Sequence, residues 1–268
     1  MEPIQLSGDL LRRIQKTQLQ ILIDVANFCD ENNICYFLTS GTLLGAVRHK
    51  GFIPWDDDID ISMPRKDFER FILLSNKLPK DYVFQATCVD SNYPNIMAKV
   101  RKIGTTMKEP VMAHLDIEHG IWIDIFPLDE VLDVKKLEKR RKKIEIISTA
   151  ICYKLKTRKI LKIRTEIICV LLGMIGVENL DKLRTKIMKK ENDKNGQFIT
   201  SFGSNLGCTR LMFKKEVYFP VRLTRFEGQL FKVPNKTEEW LNGAYGDYNV
   251  LPAINDRVNR HKVNEVIV

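Results

Sequence analysis

Residues 54 to 63 read Pro54-Trp55-Asp56-Asp57-Asp58-Ile59-Asp60-Ile61-Ser62-Met63, four acids in five positions running into a polar and apolar alternation. Alternation with period two marks a strand buried on one side, and it sets the side chains of Asp58 and Asp60 on the same face. Carboxylates so placed repel each other, and burying a bare charge is expensive. A pair at i and i+2 bridges divalent metals, and hard oxygen ligands suit magnesium or manganese. The competing reading is an acidic, solvated turn; within the metal-site reading, Asp57 is expected to be exposed and Asp56 to be a loop or supporting residue.

The flanking sequence limits how this strand is embedded. Ser7 is placed to cap a helix whose apolar residues Leu10, Leu11, Ile14, Leu22, Val25, Ala26 and Cys29 recur at helical spacing, with Glu31-Asn32-Asn33 ending it. A buried strand is predicted at 34–39, then a turn at Ser40-Gly41-Thr42 opening a short helix over 43–47. Such a junction presents unpaired backbone N–H groups to an anion. Pro64 suits the first turn of a helix over 65–77, buried through Phe68, Phe71, Ile72 and Leu74.

Further strands are predicted at 82–86, 96–103 and 121–126. The last holds Asp124 between Ile123 and Ile125, flanked by Trp122 and Phe126, so this carboxylate needs a partner or a shifted pKa. If the two acidic strands are adjacent, Asp58, Asp60 and Asp124 form a site for two metals about 3.5 to 4 Å apart. Arg48 and Lys50 after the glycine turn, and Lys99 and Arg101 on one strand face, are the cations placed to hold phosphate.

Beyond Pro127 the pattern becomes helical and basic to about Lys190, and the C-terminal part has a helix at 237–241 before the turn-rich Gly243-Ala244-Tyr245-Gly246-Asp247-Tyr248. Residues 135–190 carry 18 Lys and Arg against 5 Asp and Glu, so their excess of 13 exceeds the +9 of the whole 268-residue chain and the remainder is mildly acidic. Lys135, Lys136, Lys139, Arg140, Arg141, Lys142 and Lys143 lie beside apolar runs such as 144–147 and Ile160-Leu161. That mixture suits a helix lying in an anionic membrane interface, or else a helical subdomain with a solvated basic face. The longest apolar run, 167–177, is well short of the roughly 20 residues that cross a bilayer. Only Tyr153 interleaves with these cations, which argues against nucleic acid.

The six cysteines form no CxxC pair and have no His at zinc spacing, so they read as reduced core thiols. The start Met1-Glu2-Pro3 lacks the basic, apolar pattern of a secretory signal, so a cytoplasmic protein is expected. The fold class is α/β (α+β), a mixed sheet flanked by helices with a basic helical insertion.

Thr39-Ser40-Gly41-Thr42-Leu43-Leu44-Gly45-Ala46-Val47-Arg48 followed by Ile53-Pro54-Trp55-Asp56-Asp57-Asp58-Ile59-Asp60-Ile61 resembles the LicD family, whose relatives include fukutin-type ribitol-phosphate transferases. The resemblance continues through Ala98-Lys99-Val100-Arg101, the run from His119 to Asp129, and Tyr245-Gly246-Asp247-Tyr248 with Pro252. It implies a nucleotidyltransferase-like fold, with a catalytic core at 1–132, the basic insertion at 133–195 and a C-terminal part at 196–268 completing the core. It also implies phosphate held at Gly41 and Thr42, and Mg2+ or Mn2+ held by Asp58, Asp60 and Asp124, with no structural zinc. Arg48, Lys99 and, more weakly, Arg101 would steady phosphate oxygens, and Asp124 or Asp60 would act as base. The implied reaction moves phosphocholine from CDP-choline to a hydroxyl of a lipid-linked, cell-surface glycan precursor of teichoic acid, capsule or lipooligosaccharide type. The enzyme would then sit peripherally at the inner face of the cytoplasmic membrane. Other readings are another CDP-linked polyol phosphate, nucleotidyl transfer, or a non-catalytic binding module. A choline cargo calls for an aromatic face, offered by Trp55, Trp122, Tyr245 or Tyr248.

Overall fold

The computed structural model describes residues 4–158 and 162–268. The Met1-Glu2-Pro3 start and the Ile160-Leu161 run lie outside the described residues.

Helix α1 (Gly8–Glu31) comes first, with Ser7 at its N-cap in extended conformation but making no side-chain cap, and Asn33 at φ 53 beyond its end. The strand predicted at 34–39 is only β1 (Phe37–Leu38), because Ser40 already opens helix α2 (Ser40–Arg48). Strand β2 (Asp60–Pro64) begins two residues later than the alternation implied, and Pro64 is the N-cap of α3 (Arg65–Leu74). Then follow β3 (Tyr82–Gln85), β4 (Ala98–Lys102), β5 (Thr106–Lys108) and β6 (Trp122–Val131).

These elements form a mixed sheet in the order β1-β2-β6-β4-β3. Only β2 and β6 are parallel, the other pairs of this path being antiparallel. Strand β6 runs past Pro127, where a change to helix was predicted. Its pairing with β4 stops at Ile125, and a second partner, β7 (Phe198–Thr200), takes over only at Asp129. Pro127 sits in the gap between these partners, where its missing N–H breaks no ladder on that side.

The basic segment forms α4 (Val134–Lys154), α5 (Ile163–Gly173) and α6 (Val177–Met188), joined by a small cluster that includes Ile147, Ala150, Ile151, Cys169, Val177 and Leu180. After β7 come β8 (Phe213–Lys214), α7 (Lys215–Tyr218), the hairpin β9 (Arg222–Phe226) and β10 (Gln229–Val233), and α8 (Thr237–Tyr245). Helix α8 extends four residues beyond the predicted one, to Gly246 at φ 73. Strand β11 (Glu265–Ile267) returns to pair with β5. All six cysteines are free, and Cys88 is exposed rather than in the core.

Ile59, Ile61, Ile123 and Ile125 are fully buried in one cluster with Ile14, Ile21, Val25, Phe68 and Phe71 of α1 and α3. Because side chains alternate along a strand, the acids between these isoleucines face the other side of the sheet. Helix α2 is pressed against the loop that carries them. A Cβ on Gly45 would stand 2.5 Å from the Gly51 carbonyl oxygen and 3.2 Å from the Ile53 nitrogen, both backbone atoms that cannot swing aside. Gly45→Ala is expected to destabilise the protein by about 1 to 3 kcal/mol, measured by chemical denaturation. A midpoint equal to that of the parent would show that α2 and the loop have room to separate.

Candidate active site

The register of the sheet builds the site. Asp60 of β2 pairs with Asp124 of β6, Asp124 pairs with Lys99 of β4, and Lys99 pairs with Gln85 of β3, so these four side chains form one row across one face. Asp58 precedes β2 and reaches the same place. One oxygen each from Asp58 and Asp124 and one nitrogen of His261 lie within 4.8 Å of one another, as do oxygens of Asp56, Asp57 and Asp58. Asp60 belongs to neither group. It stands beside them, its backbone N–H donating to Thr42 Oγ1 at 2.8 Å. Ser40 holds φ 49, the left-handed region that side chains seldom adopt, at the first position of α2.

Two features were not read from sequence. Asp57, expected to be exposed, is fully buried and accepts backbone N–H groups of Arg260 at 3.1 Å and His261 at 3.2 Å. Its partners are about 200 residues further on in the sequence, so no local pattern could signal its burial. The second is His261 itself, whose Nδ1 lies 3.5 Å from Asp57 and 3.8 Å from Asp58. The same C-terminal strap donates Asn259 Nδ2 to the Trp55 carbonyl, while α1 holds the acidic loop from below through Gln15 to the Asp56 carbonyl and Gln18 to the Asp57 carbonyl. Gly41 meets the loop too. A Cβ there would lie 2.6 Å from Asp56 Oδ2, so glycine lets this carboxylate approach the first turn of α2.

The predicted cations divide. Lys99 is buried, 3.2 Å from Asp124 Oδ1, 3.7 Å from Glu109 Oε2 and 3.7 Å from the centre of the Trp122 ring. Arg101 is buried, and its Nε and Nη1 donate to Gln85 Oε1 and the Gly120 carbonyl. Arg48 is also committed elsewhere, to the Tyr248 carbonyl at 2.8 Å and the His49 ring. Thr42 spends its hydroxyl on β2. Among the aromatics, Trp122 is fully buried, covered by Lys99, Arg101 and the edge-on His261 ring, and Tyr248 is buried in the main core. Trp55 carries Arg257 over its ring. Tyr245 is half-buried and feels the charges of Asp60, Asp56 and Asp58, which together with burial push its hydroxyl pKa up.

Burial raises the pKa of Asp56, Asp58 and Asp60, and the neighbouring carboxylates add to it. Burial opposes the charge on His261, but the Asp57 carboxylate 3.5 Å from Nδ1 and the charge of Asp58 carry its pKa up to about 9. Asp124 Oδ1 makes only the Lys99 ion pair, and His261 Nδ1 is buried without a hydrogen-bond partner. Crowded acids with orphaned donor atoms fit a divalent cation, and an imidazole beside two carboxylates favours a transition ion such as manganese over magnesium.

The shifts fix the sign of a pH effect. Native carboxyls with raised pKa keep protons that the unfolded chain releases, so stability falls as pH climbs above about 4, and the raised His261 adds a loss from about 6.5 upward. Metal-stripped protein is expected to melt lower at pH 7.5 than at pH 5.5, with added manganese restoring more at pH 7.5. A manganese shift equal at both pH values would contradict this origin.

Residues 33–164 match the family described as LicD/FKTN/FKRP, nucleotidyltransferase domain. The chain is 31% identical over 261 residues to the lipopolysaccharide cholinephosphotransferase LicD of Haemophilus influenzae, covering 94% of this chain and 96% of that protein. The chain belongs to the LicD family. A 48-residue stretch is also 52% identical to uncharacterized proteins of Rickettsia prowazekii and Rickettsia typhi, covering 18% of this chain and 18% and 16% of theirs. LicD membership makes the protein a transferase, and within the LicD match lie the row Asp60, Asp124 and Lys99 and the acidic loop. His261 lies beyond residues 33–164 but within a chain alike to the Haemophilus LicD protein over nearly its full length.

Proposed function

We propose that this LicD-family protein transfers phosphocholine from CDP-choline to a hydroxyl of a lipopolysaccharide-type, lipid-linked glycan, using a divalent metal. The observation that carries this reading is the near full-length likeness to a lipopolysaccharide cholinephosphotransferase in a chain that gathers five aspartates around the start of its central strands β2 and β6.

Asp58, Asp124 and His261 would hold the metal, which supplies charge neutralisation at the donor diphosphate and acidifies the acceptor hydroxyl. Lys99, beside Asp124, adds positive charge where the diphosphate would lie. Asp60 stands next to the ligand set rather than in it, and takes the proton of the acceptor hydroxyl. The acceptor oxygen then bonds to the phosphorus that carries choline, and the bond from that phosphorus to cytidine monophosphate breaks, positioning and charge doing most of the catalysis. Tyr245, half-buried beside Asp56, Asp58 and Asp60, gives the quaternary ammonium an aromatic face and nearby negative charge. A lipid-linked acceptor calls for a peripheral position at a membrane.

The test is incubation of purified protein with manganese, CDP-choline and a lipid-linked glycan. Acceptor-dependent release of cytidine monophosphate and a product heavier by one phosphocholine are expected. A product carrying cytidylate, or release only from a polyol-linked donor, would replace this reading.

A further inference from the structure

The basic segment does not present its cations and its apolar residues at random. Helix α5 has Cys169 as its buried residue, packed with Ile147, Ala150, Ile151, Val177 and Leu180. Lys154 fixes its far end by donating to the Gly173 carbonyl at 2.7 Å. A helix anchored on one side ordinarily turns a polar face to water. Here the outward residues Ile163, Ile167, Val170, Leu171 and Met174 recur at i, i+4, i+7, i+8 and i+11 and are all exposed, from 52% at Val170 to 84% at Met174. Ile175 continues the stripe. A contiguous apolar face about 16 Å long marks a surface that something covers.

Charge decides the occupant. Lys156, Arg158, Lys162 and Arg164 are exposed at the same end of the segment, and residues 135–190 as a whole carry an excess of 13 positive charges. A second copy of the chain would bring the same excess against this one and be repelled. An anionic bilayer offers acyl chains for the stripe and phosphates for the cations, and no described helix is long and apolar enough to cross it. We infer that the outward face of α5 inserts into the interface of an anionic membrane, with Lys156, Arg158, Lys162 and Arg164 at the headgroups, and so tethers the catalytic body to the surface that bears its acceptor. The tether rests on the lipid-linked acceptor of the proposed reaction for its purpose, but not for its detection.

The experiment is co-sedimentation of the full-length protein with phosphatidylglycerol and phosphatidylcholine vesicles, without donor or acceptor. Binding is expected only when phosphatidylglycerol is present. Ile167→Glu with Leu171→Glu should lower the partition by about tenfold or more, while Lys162→Glu with Arg164→Glu should leave the apolar face intact and lose the preference for anionic lipid. All substituted side chains are exposed, and circular dichroism checks that both variants fold. Partition unchanged by the first variant overturns the inference, as does a concentration-dependent dimer abolished by that variant in a protein that ignores vesicles. Cytidine monophosphate release with a water-soluble glycan, measured separately, reads the reaction alone, so loss of one result leaves the other standing.

Discussion

Asp58→Asn is expected to reduce transfer by at least about a thousandfold while leaving the metal-free protein as stable as the parent, or more so. Asp58 is the carboxylate common to both clusters of metal-ligating atoms, the one with Asp124 and His261 and the one with Asp56 and Asp57. An amide keeps the shape but removes one anionic ligand. Burial and the charges of Asp57 and Asp124 raise the Asp58 pKa despite the opposing pull of His261, so its charge is a net burden on the metal-free fold. A loss of folding explains low activity in most inactive variants. Here the two measurements should move apart, with cytidine monophosphate release collapsing and the melting temperature of the stripped protein holding or rising. A well-folded Asp58→Asn protein that retains a tenth of the parent rate would remove Asp58 from the chemistry.

Asp129→Ala should do the reverse, destabilising the fold by about 3 to 5 kcal/mol, or about 10 °C in melting temperature. Asp129 lies near the end of β6 and is fully buried. It accepts Arg65 Nε at 2.9 Å and Nη2 at 2.6 Å, and Asn192 Nδ2 at 2.9 Å. Arg65 is the first residue of α3 and is buried as well, so this bidentate pair clamps a helix start to the strand that carries Asp124. Removing the acid leaves a guanidinium in a place without solvent. Replacing both, as Arg65→Met with Asp129→Leu, should recover most of the loss, since apolar pairs of similar size often substitute for buried ion pairs. If the double variant melts no higher than Asp129→Ala, the pair is holding position in a way that packing cannot.

Sequence and structure agree where the signal is periodic and local. The alternation at Asp58 to Met63 and the isolated Asp124 among apolar residues foretell two strands, each with a buried isoleucine face and an acid on the other side. Pro127 misleads because a proline is harmless in a strand whose neighbour changes at that point, and neighbours are invisible in one dimension. Arg48 and Arg101 gain partners that are invisible in one dimension for a related reason. A cation near a glycine turn or on a strand looks available until the backbone carbonyl that claims it, Tyr248 or Gly120, is known. Trp122 was one of four aromatic faces for a quaternary ammonium, but the protein's own Lys99 and Arg101 already lie on its ring. Asp57 and His261 are joined across most of the chain, and nothing near Asp57 distinguishes it from Asp56 or Asp58.

That last link has a consequence for the making of the protein. The acidic loop is synthesised about 200 residues ahead of the N–H groups that receive Asp57, which belong to Arg260 and His261. Until Arg260 and His261 are made, the crowded aspartates have neither their imidazole nor their amide partners, so a shorter nascent chain cannot hold the finished site. A chain cut before Arg260 would therefore keep the β1-β2-β6-β4-β3 sheet and helices α1 to α8 but lose β11, and its acidic site would stay unassembled.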